Sequence, residues 1–362
     1  MVLASPRIIA TATAQPPYCF AQPVLLEKLC AMVLGAGWRE RPEAVERAAR
    51  FERLFASSRV QCRRSAVDLL TYYDRPRSTG ERMAEYRRSA YPLARTALTT
   101  CLGAAGERSA EQVTDIFVVS CTGYDSPGID LLLARDLGMQ PEVRRVVIGH
   151  MGCYGAIVGL RQALAALRAH DNTLVALVDV ELCSLHYATT DSVDMLTGYA
   201  LFADGVAAAL LSPSPNAPGP ELVDTYCTAI YGAAAQMTWR ITDEGFAMGL
   251  SPRVPVTLRQ HVAVAVERLL APHGLRTGDV AHWLVHPGGP SILDAVHEKL
   301  GLSAEQMQLS WQTLRENGNC SSATVLIMLD TLLRSGRPSR GEWGVMMAFG
   351  PGLTLETCLL RF

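Results

Sequence analysis

The chain has 362 residues, with 33 basic and 35 acidic side chains, a formal net charge of -2 and 49% hydrophobic residues. That length fits two domains, or one large domain of two similar halves around a sizeable core. The near-neutral balance gives no bulk electrostatic ground for a nucleic-acid or anionic-membrane partner.

The N-terminal stretch MVLASPRIIATATAQPP has no long apolar run behind a basic start. No segment approaches the roughly 18 uninterrupted apolar residues of a spanning helix, so a soluble, cytoplasmic protein is expected. Arg7 to Thr13 reads as a first strand, ended by Gln15-Pro16-Pro17. Residues from about 23 to 105 read as helical. Within them, Arg53, Arg59, Arg63 and Arg64 accompany apolar Leu54, Phe55 and Val60. Such a run is most often a solvated helix face. Its functional alternative is a basic mouth for phosphates.

Asp115 to Ser120 reads as a buried strand, followed by the loop CTGYDSPG and a helix from about Ile129. Next, Val146, Val147 and Ile148 read as a buried strand that turns through Gly152, Cys153 and Gly155 into an amphipathic helix with Ile157, Leu160, Leu164 and Leu167 on one face. A thiol at a helix N-terminus is expected to favour the thiolate. Cys153 is therefore a candidate nucleophile for acyl transfer. Two more strands follow, in LVALVDVELCS and VAAALLSP. Ser212 to Pro220 holds four prolines in nine residues and reads as the loop between two halves, 1–220 and 221–362.

The second half reads as helix Thr257–Leu270, strand His282–Val285, helices Ser291–Leu300 and Ser321–Leu333, and a final strand pair at Trp343–Phe349 and Leu353–Leu360. Alternating strands and helices in both halves predict an α/β fold of mainly parallel order. His286 follows Trp283-Leu284-Val285 and precedes Pro287-Gly288-Gly289-Pro290, at the strand edge where ligands bind in open α/β sheets. Asn319, before a helix, is a candidate for a fixed amide donor as well as for an ordinary turn residue. A thiolate–imidazolium pair and an amide donor suit attack on a thioester, then stabilisation of an enolate or oxyanion.

The ten cysteines contain no C-x-x-C pair, and the C-x-x-H spacing of Cys183 and His186 has no second ligand pair nearby. Zinc is not expected, and free thiols in a reducing compartment account for the cysteines.

MGCYGA around Cys153, VELCSL at 180–185, ALFADGVAAALL at 200–211, LVHPGGPSILDAV around His286, ENGNCSSATV around Asn319 and AFGPGLTLE near the C-terminus together resemble the type III polyketide synthases. These are chalcone-synthase-like ketosynthases of the thiolase fold. The resemblance implies two similar α/β halves in a layered α-β-α-β-α arrangement. It implies a homodimer acting on acyl-CoA and malonyl-CoA, without metal or nicotinamide. Cys153 would be acylated, and His286 and Asn319 would assist malonyl decarboxylation. Phe202 and Phe246 match the two gatekeeper phenylalanines, and Gly350, Pro351 and Gly352 the loop that shapes the cyclisation cavity. Cys121, Cys183, His186 and Ser321 match cavity-lining positions, and Arg53 and Arg59 would contact coenzyme A.

The chain departs from the plant pattern at Cys121, Tyr154, His186, Cys320 and Ala348, which leaves starter, chain length and cyclisation open. Its MGCYGA wording is closer to bacterial acylpyrone and alkylresorcinol-type members. Two alternatives share the chemistry or the fold. One is a ketoacyl synthase that starts fatty-acid synthesis from an acyl carrier protein. The other is a catalytically silent acyl-binding protein.

Overall fold

The structure of the chain, a computed structural model, describes residues 6–106, 108–170, 172–187 and 192–362. The first half runs β1 (Arg7–Ala14), β2 (Tyr18–Ala21), α1 (Gln22–Leu34), α2 (Pro42–Ser57), β3 (Cys62–Ser65), α3 (Leu69–Tyr72), α4 (Thr79–Ala104), β4 (Asp115–Ser120), α5 (Ile129–Asp136), β5 (Arg144–Gly149), α6 (Gly155–Ala169), β6 (Val175–Leu182), α7 (Val193–Leu201) and β7 (Asp204–Ser212). The second runs β8 (Glu221–Ala229), β9 (Met237–Thr242), β10 (Gly245–Leu250), α8 (Val254–Leu270), β11 (Val280–Val285), α9 (Pro290–Leu300), α10 (Ala304–Asn317), α11 (Ala323–Arg334), β12 (Trp343–Gly350) and β13 (Thr354–Arg361).

Among the described residues, nine strands join in the order β11-β12-β13-β8-β1-β7-β6-β4-β5. The order within β1, β4, β5, β6 and β7 is repeated by β8, β11, β12 and β13, with the counterpart of β5 missing. Strand directions repeat as well: β4–β6 and β11–β12 are parallel, while β6–β7 and β12–β13 are antiparallel. The halves meet where Arg7 of β1 faces Glu221 of β8.

The expected, mainly parallel order is not what forms. Among the described residues, five of the eight pairings in this sheet are antiparallel. The reason is local for β12 and β13: only Pro351, Gly352 and Leu353 connect them, and a connection that short returns antiparallel.

Helices α6 and α11 lie between the halves. α6 packs on β4 and β6 and also on β8 and β13; α11 packs on β1 and β7 and also on β11 and β12. α4 covers the far side of the first half, and α8 that of the second. This is the layered α-β-α-β-α arrangement. Alternation along β6 serves both faces, with Val175 and Leu177 in the central cluster and Ala176, Val178 and Val180 under α4. A strand covered on both sides reads as one apolar run.

Several elements went unread in the sequence. β2 precedes the expected helical stretch and β3 interrupts it, while β8, the β9–β10 hairpin and α10 carry weak periodicity. Val146 and Val147 are exposed, because β5 is an edge strand. Among the described residues, no helix is long and apolar enough to cross a membrane.

Candidate active site

Cys153 lies in a short 3-10 turn, Gly152–Tyr154, between β5 and the first residue of α6. Gly152 has φ +70° and lies against the Pro351 ring, so a side chain there would be strained and would collide. Neither α6 nor α11 has a side-chain cap at its start.

His286 follows β11 and is anchored by its backbone: its N–H donates 2.9 Å to the Met347 carbonyl, and its own carbonyl accepts from Gly288 at 2.9 Å. Its ring is buried, and neither ring nitrogen has a partner. Asn319, after α10, is bridged to Phe202. Its N–H donates to the Leu201 carbonyl (2.8 Å), and its carbonyl accepts from Ala203 (2.9 Å). Its side-chain Oδ1 accepts from the Ser321 N–H at 2.9 Å, which fixes the amide plane. The Cys153 sulfur lies 4.0 Å from this Oδ1.

Cys153, His286 and Asn319 line one outer chamber of about 630 Å³. An inner chamber of about 60 Å³ adjoins it and is lined by Cys121, Cys183, His186, Ser321, Trp239 and Pro351, among others. Cys153, Phe202, Met237 and Met248 border both chambers and form the throat.

Burial sets the electrostatics. It pushes the Cys153 thiol up to about 12, with the nearby Glu181 carboxylate as the second cause. Burial also holds His286 down to about 3. Burial therefore opposes the thiolate that the helix end favours. Burial favours the neutral form of both groups. His186 is neutral too, at about 3, through burial. Its Nε2 donates 2.6 Å to the Thr122 carbonyl while Nδ1 accepts from the Phe246 N–H, which fixes the tautomer.

The chamber walls differ from two sequence expectations. Phe246 borders neither chamber; its ring stacks on His186, with centroids 4.1 Å apart, and meets Trp239 edge-on. Met248, two residues on along β10, occupies the throat with Phe202. The basic mouth is also absent from the walls. Leu54, Ser57 and Ser58 reach the outer chamber, while Arg59 stacks over Trp311, 4.6 Å from the ring centroid. Arg53 is exposed on α2, one turn from Ser57. Arg63 is buried, and its Nη1 donates 2.8 Å to the Phe202 carbonyl and also to that of Tyr199.

Pro351 lines the inner chamber, Gly350 ends β12 beside the Cys153 turn, and the Gly352 N–H donates 3.0 Å to the Met237 carbonyl. Sequence reasoning missed Trp239, Met237 and Met248, all on the unread hairpin. Trp239 is held by a 2.8 Å donation from Nε1 to the Cys121 carbonyl. Among the described residues, no group of His, Cys, Asp or Glu is arranged to hold a metal ion.

Comparison with known proteins agrees with this geometry. The family described as "Chalcone and stilbene synthases" matches through its N-terminal domain over residues 6–215 and its C-terminal domain over 221–362. A 1,3,6,8-tetrahydroxynaphthalene synthase of Streptomyces peucetius subsp. caesius is 34% identical over 98% of this chain and 93% of that protein. "Alpha-pyrone synthesis polyketide synthase-like Pks18" of Mycobacterium tuberculosis is 30% identical over 96% of this chain and 89% of its own length. The crystal structure of PKS-I from the brown alga Ectocarpus siliculosus superposes with a TM-score of 0.90 at 28% identity, covering 99% of this chain and 98% of that one. The chain belongs to the chalcone and stilbene synthase family. It is a type III polyketide synthase, an acyltransferase that works by decarboxylative condensation.

The two neutral histidines predict an acid-sensitive fold. Both protonate near 6.5 when unexposed to the fold but only near 3 inside it. The unfolded chain therefore binds protons first, so stability is full above about pH 6.5 and falls toward about pH 3. Urea midpoints measured across that window should decline, and less steeply for His286→Asn. Identical slopes would contradict a neutral, buried His286.

Proposed function

We propose that Cys153 accepts the acyl group of an acyl-CoA starter and that His286 and Asn319 serve the malonyl-CoA half-reaction. The observation that carries this reading is their shared chamber, with Cys153 at its throat. As the sulfur attacks the thioester carbonyl, a new S–C bond forms and the bond to coenzyme A sulfur breaks. The thiol proton passes by way of His286 to the departing thiolate, an exchange suited to an imidazole that rests neutral. Malonyl-CoA then loses carbon dioxide, and the pair from the broken C–C bond becomes an enolate. One imidazole N–H and the Asn319 amide N–H donate to its oxygen. The enolate carbon attacks the acyl–Cys153 carbonyl and returns the sulfur for another round.

The inner chamber is the place for chain growth and cyclisation to a pyrone or phenolic ring. Its small volume, with Trp239 in its wall, favours a short starter or few extensions. Arg53, exposed one turn from the mouth residue Ser57, is the proposed contact for coenzyme A phosphates. A cytoplasmic homodimer completes the reading. The exposed valines of edge strand β5 support pairing of two copies there.

Intact-protein mass spectrometry after mixing with acyl-CoA starters should show one acyl adduct, lost in Cys153→Ala. Asn319→Ala should keep the adduct while condensation with malonyl-CoA falls about 10²-fold or more, as when an oxyanion donor is removed. No adduct and no labelled product across a broad starter panel would refute the reading. Trp239→Ala should yield longer products from the same starter by mass spectrometry; an unchanged product would place chain growth elsewhere. Val147→Lys should lower the solution mass by light scattering toward that of one chain, and an unchanged mass would exclude the β5 edge as the interface.

A further inference from the structure

Asp179 and Glu181 play no part in the scheme above, yet they sit directly behind the nucleophile. Both lie on β6, two residues apart, so their carboxyl groups leave the same face of the strand, the one turned toward α6 and α11. Both are completely buried. Ser322, also completely buried, stands between them. Its Oγ is 2.9 Å from Asp179 Oδ1 and 2.7 Å from Glu181 Oε1.

A hydroxyl has one proton and can donate to only one of two carboxyl groups. The other contact must run toward the serine oxygen, so one of the two groups must be protonated. Charge gives the same answer. Among the described residues, neither carboxyl pairs with a Lys, Arg or His side chain, and two buried anions without a cation would be prohibitively costly.

The donors say where the proton rests. Glu181 accepts from the Cys121 N–H at 3.1 Å and from the Thr122 hydroxyl at 2.8 Å, in addition to Ser322. The Thr122 oxygen in turn accepts the Leu182 N–H, which turns its own proton toward Glu181. Asp179 has Ser322 alone, and its Oδ2 has no partner. An orphan oxygen is far more tolerable on a neutral acid than on a carboxylate. The resting arrangement is therefore an Asp179 O–H donating to Ser322 Oγ, whose own O–H donates to an anionic Glu181.

We propose that Asp179, Ser322 and Glu181 form a one-proton relay behind Cys153, which moves a single negative charge toward or away from the nucleophilic sulfur. In the transfer, the Asp179 O–H breaks as a Ser322 O–H forms, and the original Ser322 O–H breaks as a Glu181 O–H forms. One proton arrives at Glu181, and the negative charge retires to Asp179. The path to the sulfur is short. Cys121, which donates its N–H to Glu181, accepts the Gly152 N–H on its own sulfur at 2.9 Å, and Cys153 is the next residue. With the charge on Glu181 the thiol keeps its proton; with the charge on Asp179 the thiol more readily gives its proton to the His286 imidazole, leaving the thiolate. The titratable groups facing the pair are Tyr86 of α4, Cys121 and Tyr124 after β4, Cys153, Cys183 after β6 and Cys320 before α11. Burial favours the neutral form of each, so among the described residues facing the pair the relay supplies the charge that shifts. Asp179, Ser322 and Glu181 are thus positioning residues, acting through the sulfur.

This inference rests on Cys153 as the acyl-accepting sulfur, but its test needs no acyl-CoA. The rate of iodoacetamide alkylation at Cys153 is followed against pH by peptide mass spectrometry, with exposed Cys19 as internal reference. Glu181→Gln removes the opposing charge and should shift the profile down by about one unit, a rate about tenfold higher at fixed pH. Asp179→Asn still donates to Ser322 but has no proton to pass, so Glu181 stays charged. Its alkylation should be about threefold slower or more, as should that of Ser322→Ala, on the same scale. A merely structural role would move both carboxyl variants in one direction. Shifts of the same sign, or none, overturn the relay. Should Glu181→Gln not fold by circular dichroism, the other two decide: slower alkylation in both supports the relay, and an unchanged or faster rate in either overturns it. Acyl loading is measured separately, so opposite alkylation shifts without loading would refute the reading of Cys153 and leave the relay standing.

Discussion

The active site depends on one contact, the crossing of the first turns of α6 and α11. Gly155 opens α6, and a side chain there would come within 2.8 Å of Val119 and 3.3 Å of Ser322. Glycine alone lets the two turns touch. Because they touch, Cys153, which precedes one helix, and Asn319, which precedes the other, face the same chamber although 166 positions separate them. Both helices are sandwiched between sheets, so moving either would disturb cores on two sides. Geometry that catalysis needs to sub-ångström tolerance is thus secured by packing that stability needs anyway.

The same burial dictates the chemistry. A cavity enclosed this deeply discourages an isolated charge, and burial favours the neutral thiol and the neutral imidazole. Donors that lack protein partners, such as the ring N–H of His286, are then free to meet developing negative charge in a medium of low dielectric. Apparently wasteful unpaired groups are the expected signature of a site complementary to a transition state.

Legibility in the sequence followed the same physical divide. Cys153 and His286 were readable because each terminates a β-branched or apolar strand and sits among glycines, a pattern local in the chain. Asn319 was readable only as an element of a family pattern, since an asparagine before a helix is commonplace. The throat was not readable. β9 and β10 form a two-stranded ribbon with half-buried residues on both strands, so no alternation announces them. Without the register, Phe246 and Met248 could not be told apart, and the aromatic residue drew attention that belonged to the methionine. The basic residues misled for a related reason. Arg63 lies on β3 and turns inward, whereas a helical reading put it on the same outer surface as Arg53 and Arg59. Val146 and Val147 looked internal because hydrophobicity alone cannot distinguish a central strand from an edge.

The repeated strand order explains how the site is divided between the halves. β4 and β11 hold equivalent places in their sheets, and each ends in a loop that reaches the chambers, through Cys121 in one half and His286 in the other. α6 and α11 are likewise equivalent, preceded by Cys153 and Asn319. Matching positions have thus taken complementary roles: one half supplies the sulfur and the wall around it, the other the imidazole and the amide. The one break in the repeat falls where it matters. The counterpart of β5 is missing, and α10 leads into the Asn319 turn instead. A strand would deliver its last residue at the sheet edge, as β5 delivers the Cys153 turn. A helix ending at Gly318, with φ +71°, lets the chain pass close to Leu201 and pair Asn319 with Phe202. That replacement ties the amide donor to the throat, so the group that steadies the enolate and the ring that narrows the passage are held by the same backbone hydrogen bonds.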